Sequence, residues 1–236
     1  MGGSRSFAYS VSADGNIVVG WANNAAGARR ACRWTPSGGV EDLNLAYAHL
    51  LTPGSELRTA YAISPNGRYI VGFGLNAATG RGEAFLLDTM VTVTGNVELR
   101  DFVGDVTRIP LTVELRQGGV VVRTFTLPLG SSGNYTFAVL PGTYDLAFKA
   151  SHWLRTVVSN VLITGSVVTV SVSLTNGDID GDNEVGLGDF ARLVAAFGSQ
   201  PDGENWDPEA DLDGDEDVTL NDLGILLRSF GLIGDD

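Results

Sequence analysis

Two stretches of this chain bring aspartates together at a spacing suited to holding a hard cation. From Asp178 the sequence reads Asp-Ile-Asp-Gly-Asp-Asn-Glu-Val-Gly-Leu-Gly-Asp, ending at Asp189. From Asp211 it reads Asp-Leu-Asp-Gly-Asp-Glu-Asp-Val-Thr-Leu-Asn-Asp, ending at Asp222. Loop positions 1, 3, 5 and 12 are Asp in both copies. Four carboxylates crowded into one short loop repel one another unless a cation sits among them. Calcium suits such a loop, because it takes about six to eight oxygen ligands.

The spacing is that of an EF-hand loop. It assigns Asp178, Asp180, Asp182 and Asp189 to one ion, with the backbone carbonyl of Glu184 at position 7. Asp211, Asp213, Asp215 and Asp222 go to a second ion, with the carbonyl of Asp217. Two calcium ions are therefore expected, and empty loops are expected to be disordered. Two departures from the pattern matter. Position 12 is Asp where EF-hands carry Glu, and position 6, normally Gly, is Asn183 in one loop and Glu216 in the other. Asn tolerates a positive φ and Glu does so at a cost, so the second loop is expected to be the more strained.

Behind each loop the apolar spacing predicts a short amphipathic helix. The matching positions are Leu187, Phe190, Leu193, Val194 and Phe197, then Leu220, Leu223, Leu226, Leu227 and Phe230. Gly198 and Gly231 suit the position that ends each helix. Val168, Val170, Val172 and Leu174 alternate as a strand leading straight into the first loop, so no helix precedes it. Half an EF-hand, duplicated, resembles the type I dockerins over residues 176–236. That resemblance implies calcium binding and docking to a cohesin through hydroxyl pairs at loop positions 10 and 11 and basic pairs on the helices. Here those positions read Leu187-Gly188 and Leu220-Asn221, and the basic residues are Arg192 and Arg228. These six are the candidate partner-binding residues. Trp206, in the stretch joining the two halves, is expected to plug the helix pair.

Upstream, the elements are β. Ala8-Tyr9-Ser10-Val11-Ser12-Ala13-Asp14-Gly15-Asn16-Ile17-Val18-Val19-Gly20 recurs 52 residues later as Ala60-Tyr61-Ala62-Ile63-Ser64-Pro65-Asn66-Gly67-Arg68-Tyr69-Ile70-Val71-Gly72. Each copy predicts a strand, a tight turn at Asp14-Gly15 or Asn66-Gly67, and a strand. Further strands are expected at Ala31–Trp34 and Ala84–Leu87. The repeat resembles the extracellular family named for a His-Ala-Phe motif, whose units are similar to propeller blades; here that position reads Arg30-Ala31-Cys32 and Glu83-Ala84-Phe85. Two blades do not close a propeller, so unpaired edges are expected over residues 1–90. Residues 91–175 show short alternating runs and predict a β-sandwich spacer. Tyr135, Phe137, Val139, Tyr144, Leu146 and Phe148 would line one inner face, with Leu140-Pro141-Gly142 turning between their strands. This pattern resembles transthyretin-like or carboxypeptidase-regulatory modules.

The chain has 236 residues and a net charge of −13. Residues 176–236 hold 2 Arg against 17 Asp and Glu, so this segment alone carries −15. Such a segment repels phosphate backbones, which argues against a nucleic-acid partner. Cys32 is the single cysteine, so neither an intramolecular disulfide nor a cysteine-rich zinc site is available. No apolar run reaches membrane-spanning length, and the start, Met1-Gly2-Gly3-Ser4-Arg5-Ser6, lacks the apolar core of a secretion signal and reads as an artificial or truncated beginning. His49 and His152 lack the neighbours that acid–base chemistry requires, and no catalytic site is expected.

The fold class expected is mainly β with a small α module at the C-terminus: blade-like hairpin repeats over 1–90, a sandwich over 91–175, and a paired calcium loop–helix module over 176–236. The function expected is that of a noncatalytic extracellular or cell-surface calcium-binding protein whose terminus docks to a cohesin-like partner. Two alternatives stand beside it. The chain self-assembles into a surface layer or fibre, or it is the tail of a larger secreted polysaccharide-degrading enzyme.

Overall fold

The computed structural model describes residues 1–36 and 38–236. Alternating side chains and glycine-centred turns build strands almost throughout, and the chain forms two compact units. One comprises Met1–Thr92 with Ala138–Gly142 and Ile163–Val168. The other comprises Val93–Phe137, Thr143–Leu162 and Thr169–Asp236.

In the first unit β1 (Ser6–Val11), β2 (Val18–Asn23), β3 (Arg29–Thr35) and β4 (Gly39–Asp42) form an antiparallel sheet in chain order. A short helix α1 (Leu43–Ala46) follows. Then β5 (Glu56–Ile63), β6 (Tyr69–Asn76) and β7 (Arg81–Asp88) make a second antiparallel sheet. Each expected repeat is thus a meander, β1 and β4 ending one sheet and β5 and β7 the other. Val19, Ala31, Ala60, Ile63, Ile70 and Leu87 share one buried cluster, so the two copies pack on each other. Leu43 and Tyr47 of the intervening helix region complete it, a contribution the sequence pattern did not signal. The turns are wider than expected. Only the glycines, Gly15 at φ 75° and Gly67 at φ 76°, are left-handed; Asp14 instead accepts the Asn16 N–H at 3.0 Å.

The remaining strands are β8 (Val91–Leu99), β9 (Leu111–Gln117), β10 (Val120–Leu127), β11 (Asn134–Val139), β12 (Gly142–Ala150), β13 (Thr156–Ile163), β14 (Val167–Thr169) and β15 (Val172–Leu174). One sheet has the order β10-β9-β12-β13, the other β11-β8-β14, with β15 pairing β8 in parallel. The six predicted inner residues are all buried, but β11 and β12 belong to different sheets. Leu140-Pro141-Gly142 therefore carries the chain from one sheet to the other and is not a hairpin turn. The strand expected over 168–174 breaks into β14 and β15 at Val170, whose carbonyl accepts the Tyr135 hydroxyl at 2.6 Å. Gly95 lies against this carbonyl, and a Cβ there would come within 1.6 Å of it.

Candidate metal centre

Each acidic run forms a loop followed by a helix, α2 (Leu187–Ala196) and α3 (Leu220–Ser229). The loops are folded by their own aspartates. Asp178 accepts the N–H groups of Gly181 and Asn183 at 2.9 and 3.2 Å, Asp180 that of Asp182 at 3.2 Å, and Asp182 that of Glu184 at 2.9 Å. The second loop repeats this in Asp211, Asp213 and Asp215, which accept from Gly214 and Glu216, Asp215, and Asp217 respectively. Asn183 and Glu216 sit at φ 72° and 69°, as the position-6 argument requires.

Within each loop the structure gathers three carboxylates. One oxygen each from Asp178, Asp180 and Asp182 lies within 4.8 Å of the others, and the same holds for Asp211, Asp213 and Asp215. The position-12 residues stand differently. Asp189 and Asp222 are buried third residues of their helices, reaching back to the Gly186 N–H at 2.6 Å and the Thr219 N–H at 2.7 Å. Their other oxygens accept the Asp180 and Leu212 N–H groups, at 3.0 and 2.7 Å. They close the loop onto the helix, and both oxygens of Asp222 accept a second hydrogen bond, from the Asp213 N–H at 3.3 Å and the Thr219 hydroxyl at 3.5 Å.

The donor set is all oxygen, and its charges are poorly compensated. Burial, followed by the charges of Asp222 and Asp215, pushes the Asp213 carboxyl up to about 6. Burial also raises Asp180 and Asp211, each with neighbouring aspartates adding to it. A hard divalent cation fits this chemistry.

The two halves are interlocked. Val185, just past position 7 of the first loop, exchanges backbone hydrogen bonds with Gly231 and Leu232 after α3. Val218 of the second loop does so with Gly198 and Ser199 after α2. Gly198 and Gly231 have φ 79° and 84° and end the helices as expected. Between them lies a small core of Ile179, Val185, Leu193, Ala196, Leu212, Val218, Ile225 and Leu226, with Trp206 packed against it.

The apolar faces, however, are only half used. Leu193 and Leu226 are buried, whereas Leu187, Phe190, Val194 and Phe197 are exposed on one helix, and Leu220, Leu227 and Phe230 on the other. The expected partner-binding residues divide. Leu187 and Leu220 are open, at 78% and 72% exposure. Gly188 lies against the Asp180 carboxylate, and the Asn221 N–H is capped by the Thr219 hydroxyl at 3.2 Å. The basic pair is engaged internally: Arg192 grips the Asp207 carboxylate with two nitrogens, and Arg228 donates to Asp101 at 2.8 Å.

Within this same unit the sandwich holds both loops. Val103 and Gly104 donate their N–H groups to the Asp213 carbonyl at 2.7 and 3.3 Å, and Phe102 lies over Gly214. Lys149 donates to Asp178 Oδ2 at 2.8 Å, Asn176 donates to the Leu212 carbonyl at 2.7 Å, and Asn183 accepts the Arg155 N–H at 2.8 Å. Buried His152 packs against Trp153 in a tilted arrangement with ring centroids 3.9 Å apart and places Nδ1 3.4 Å from the Glu209 carboxylate. The His152 ring and the Ser151 hydroxyl hold Glu209 below the usual carboxylate range. No local sequence signal marked Lys149, Phe102 or Val103, because they lie 29 to 112 residues from what they touch.

No protein-family model and no curated protein matches the sequence. Among solved structures the chain is similar to two mutant forms of a type II cohesin–X–dockerin complex from Acetivibrio cellulolyticus, altered at a C-terminal and an N-terminal interface. Each likeness has 24% identity over 61% of this chain and 97% of that one, with a TM-score of 0.51. At that identity it speaks for the fold alone. A DUF3823 family protein from Parabacteroides merdae is 16% identical over 37% of this chain and 47% of its own, at a TM-score of 0.30, too low to bear on fold or function.

These findings overturn the expected type I dockerin identity. The similar structures come from a type II cohesin-containing complex, and what they support is a β-sandwich fold. The dockerin-type docking function goes with it. No family model supports the His-Ala-Phe or transthyretin-like resemblances. The alternatives of self-assembly and of an enzyme's tail find no support in these likenesses. Among the described residues no helix is long and apolar enough to cross a membrane.

Proposed function

We propose that the second unit, Val93–Phe137 with Thr143–Leu162 and Thr169–Asp236, works as one body, a β-sandwich with a calcium-organised helix pair built onto it, and that this body is a noncatalytic element of an extracellular protein assembly. The observation that carries the reading is the gathering of three carboxylates in each loop, within 4.8 Å, by backbone hydrogen bonds that repeat from one loop to the other. Asp178, Asp180 and Asp182 would hold one ion and Asp211, Asp213 and Asp215 the other, with the Glu184 and Asp217 carbonyls and the Asp189 and Asp222 carboxylates closing each loop. Bound calcium would neutralise carboxylates that otherwise repel, and millimolar calcium outside cells would keep such sites filled.

A protein partner is supported by the exposed apolar stripes. Leu187, Phe190, Val194 and Phe197 follow helical spacing along α2, and Leu220, Leu227 and Phe230 do so along α3, all outside the buried core. Apolar surface of this kind suits an apolar face on another protein.

Calorimetric titration of the calcium-stripped chain tests the reading. Two ions bound per chain, abolished by Asp180→Asn and Asp182→Asn in one loop and Asp213→Asn and Asp215→Asn in the other, is the expected result. No calcium uptake would overturn it. Val194→Asp with Leu227→Asp, at positions 52% and 56% exposed, should leave both calcium binding and the thermal melt unchanged.

A further inference from the structure

The two loops share a backbone design but not an electrostatic environment. Asp178, the first ligand of the first loop, is wholly buried at its side chain and accepts the Lys149 ammonium at 2.8 Å. That ammonium comes from β12 of the sandwich and is fixed by the carbonyls of Ala150, Ser151 and Trp153, at 3.3, 2.7 and 2.6 Å. Asp211, its counterpart, accepts only the Gly214 and Glu216 N–H groups among the contacts of its side chain. Among the described residues no Lys, Arg or His makes an ion pair with Asp211, Asp213 or Asp215. Arg108 reaches the outward Glu216 of that loop at 3.8 Å, with both side chains mostly exposed. The sandwich grips the second loop through neutral groups instead, the Val103 and Gly104 N–H groups on the Asp213 carbonyl.

Charge count points the same way. The first loop carries Asp178, Asp180, Asp182, Glu184 and Asp189 against a resident lysine. The second carries Asp211, Asp213, Asp215, Glu216, Asp217 and Asp222 with no buried cation.

Resting on the calcium reading above, we infer that Lys149 makes the sites unequal: calcium fills the second loop first and the first loop more weakly. Two effects of the lysine oppose each other. It orients a ligand before the ion arrives, which favours binding, and it repels the ion. The first gain is small, because the Gly181 and Asn183 N–H groups already orient Asp178. The second is large, because a unit charge repels a divalent ion twice as strongly as another unit charge at the same spacing. The left-handed backbone does not separate the loops, since Asn183 at φ 72° and Glu216 at φ 69° adopt it alike. Lys149 is thus a positioning residue of the β-sandwich that substitutes for part of the metal's charge. It keeps the first loop attached to β12 when calcium is scarce.

The test is calorimetric titration of the full chain with calcium at low ionic strength, alongside Asp180→Asn/Asp182→Asn, Asp213→Asn/Asp215→Asn, Lys149→Met and Lys149→Arg variants. The expected result is two steps at least about tenfold apart in affinity, with the weaker step lost in the first double variant and the tighter step lost in the second. Lys149→Met should tighten the weaker step several-fold and leave the other in place, while Lys149→Arg keeps the wild-type pattern. Two equal sites, a tighter first loop, or weakening by Lys149→Met would each overturn the inference while leaving calcium binding intact. An absence of binding would overturn the calcium reading itself. Should Lys149→Met fail to fold, the two double variants alone decide which loop is the tighter.

Discussion

The chain contains two internal duplications, and they are held together by different means. The 52-residue repeat in the first unit packs sheet on sheet through Val19, Ala31, Ala60, Ile70 and Leu87, with strand pairing inside each copy and the Ala13 N–H donating to the Pro65 carbonyl across them at 2.9 Å. The 33-residue repeat in the second unit has a buried core of its own, and adds carboxylates that fold the backbone around themselves and loops that each pair with the residues after the other helix. The first rests mainly on apolar contact between its sheets. In the second, the groups that shape the loops are carboxylates, and Lys149 pairs with one of them, Asp178.

Removing calcium should separate the two most sharply. For a site with a dissociation constant on the order of 10⁻⁶ M, calcium at roughly millimolar concentration contributes about 4 kcal/mol of stability. Chelator should therefore melt α2 and α3 at lower temperature in circular dichroism while the first unit's transition stays in place. A melt unaltered by chelator would erase the contrast. Ile70→Ala probes the other side: as a fully buried residue its truncation should cost the first unit about 2–5 kcal/mol, with calcium titration unchanged.

Smaller effects distinguish the two loops. Glu216 is left-handed at φ 69°, so Glu216→Gly should stabilise the chain by about 1 kcal/mol, measured by denaturant unfolding. Asn183→Gly at the matching site should not, because it deletes the side chain that accepts the Arg155 N–H. The smallest effect expected is a pH dependence. Asp213 is raised to about 6 in the folded chain, so the folded state binds more protons than the unfolded state between roughly pH 4 and 6. That contribution is present at low pH and is lost as pH rises through 6. In chelator the second unit should melt lower at pH 7 than at pH 5.5, and calcium should abolish the difference.

Much of the second repeat was legible in the residues because its determinants are local. A position-1 carboxylate reaches the N–H groups three and five residues on, Gly198 and Gly231 end the helices, and position 6 turns left-handed, all within one loop or helix. Burial of the sandwich residues was legible from alternation, but their assignment to sheets was not. A period of two states which side chains share a face of a strand and leaves open which strand is the neighbour. That is why β11 and β12 read as a hairpin and lie in separate sheets.

The sequence by itself determined the acidic residues of each loop and their spacing, the helix ends and the meanders of the first unit, since each follows from interactions between residues close along the chain. Only the tertiary structure decided that half of each helix's apolar face stays exposed, that Arg192 and Arg228 are committed to internal carboxylates, and that Lys149 from β12 sits on Asp178. Those outcomes depend on which distant surfaces meet, and charge and burial at a contact are properties of both surfaces together.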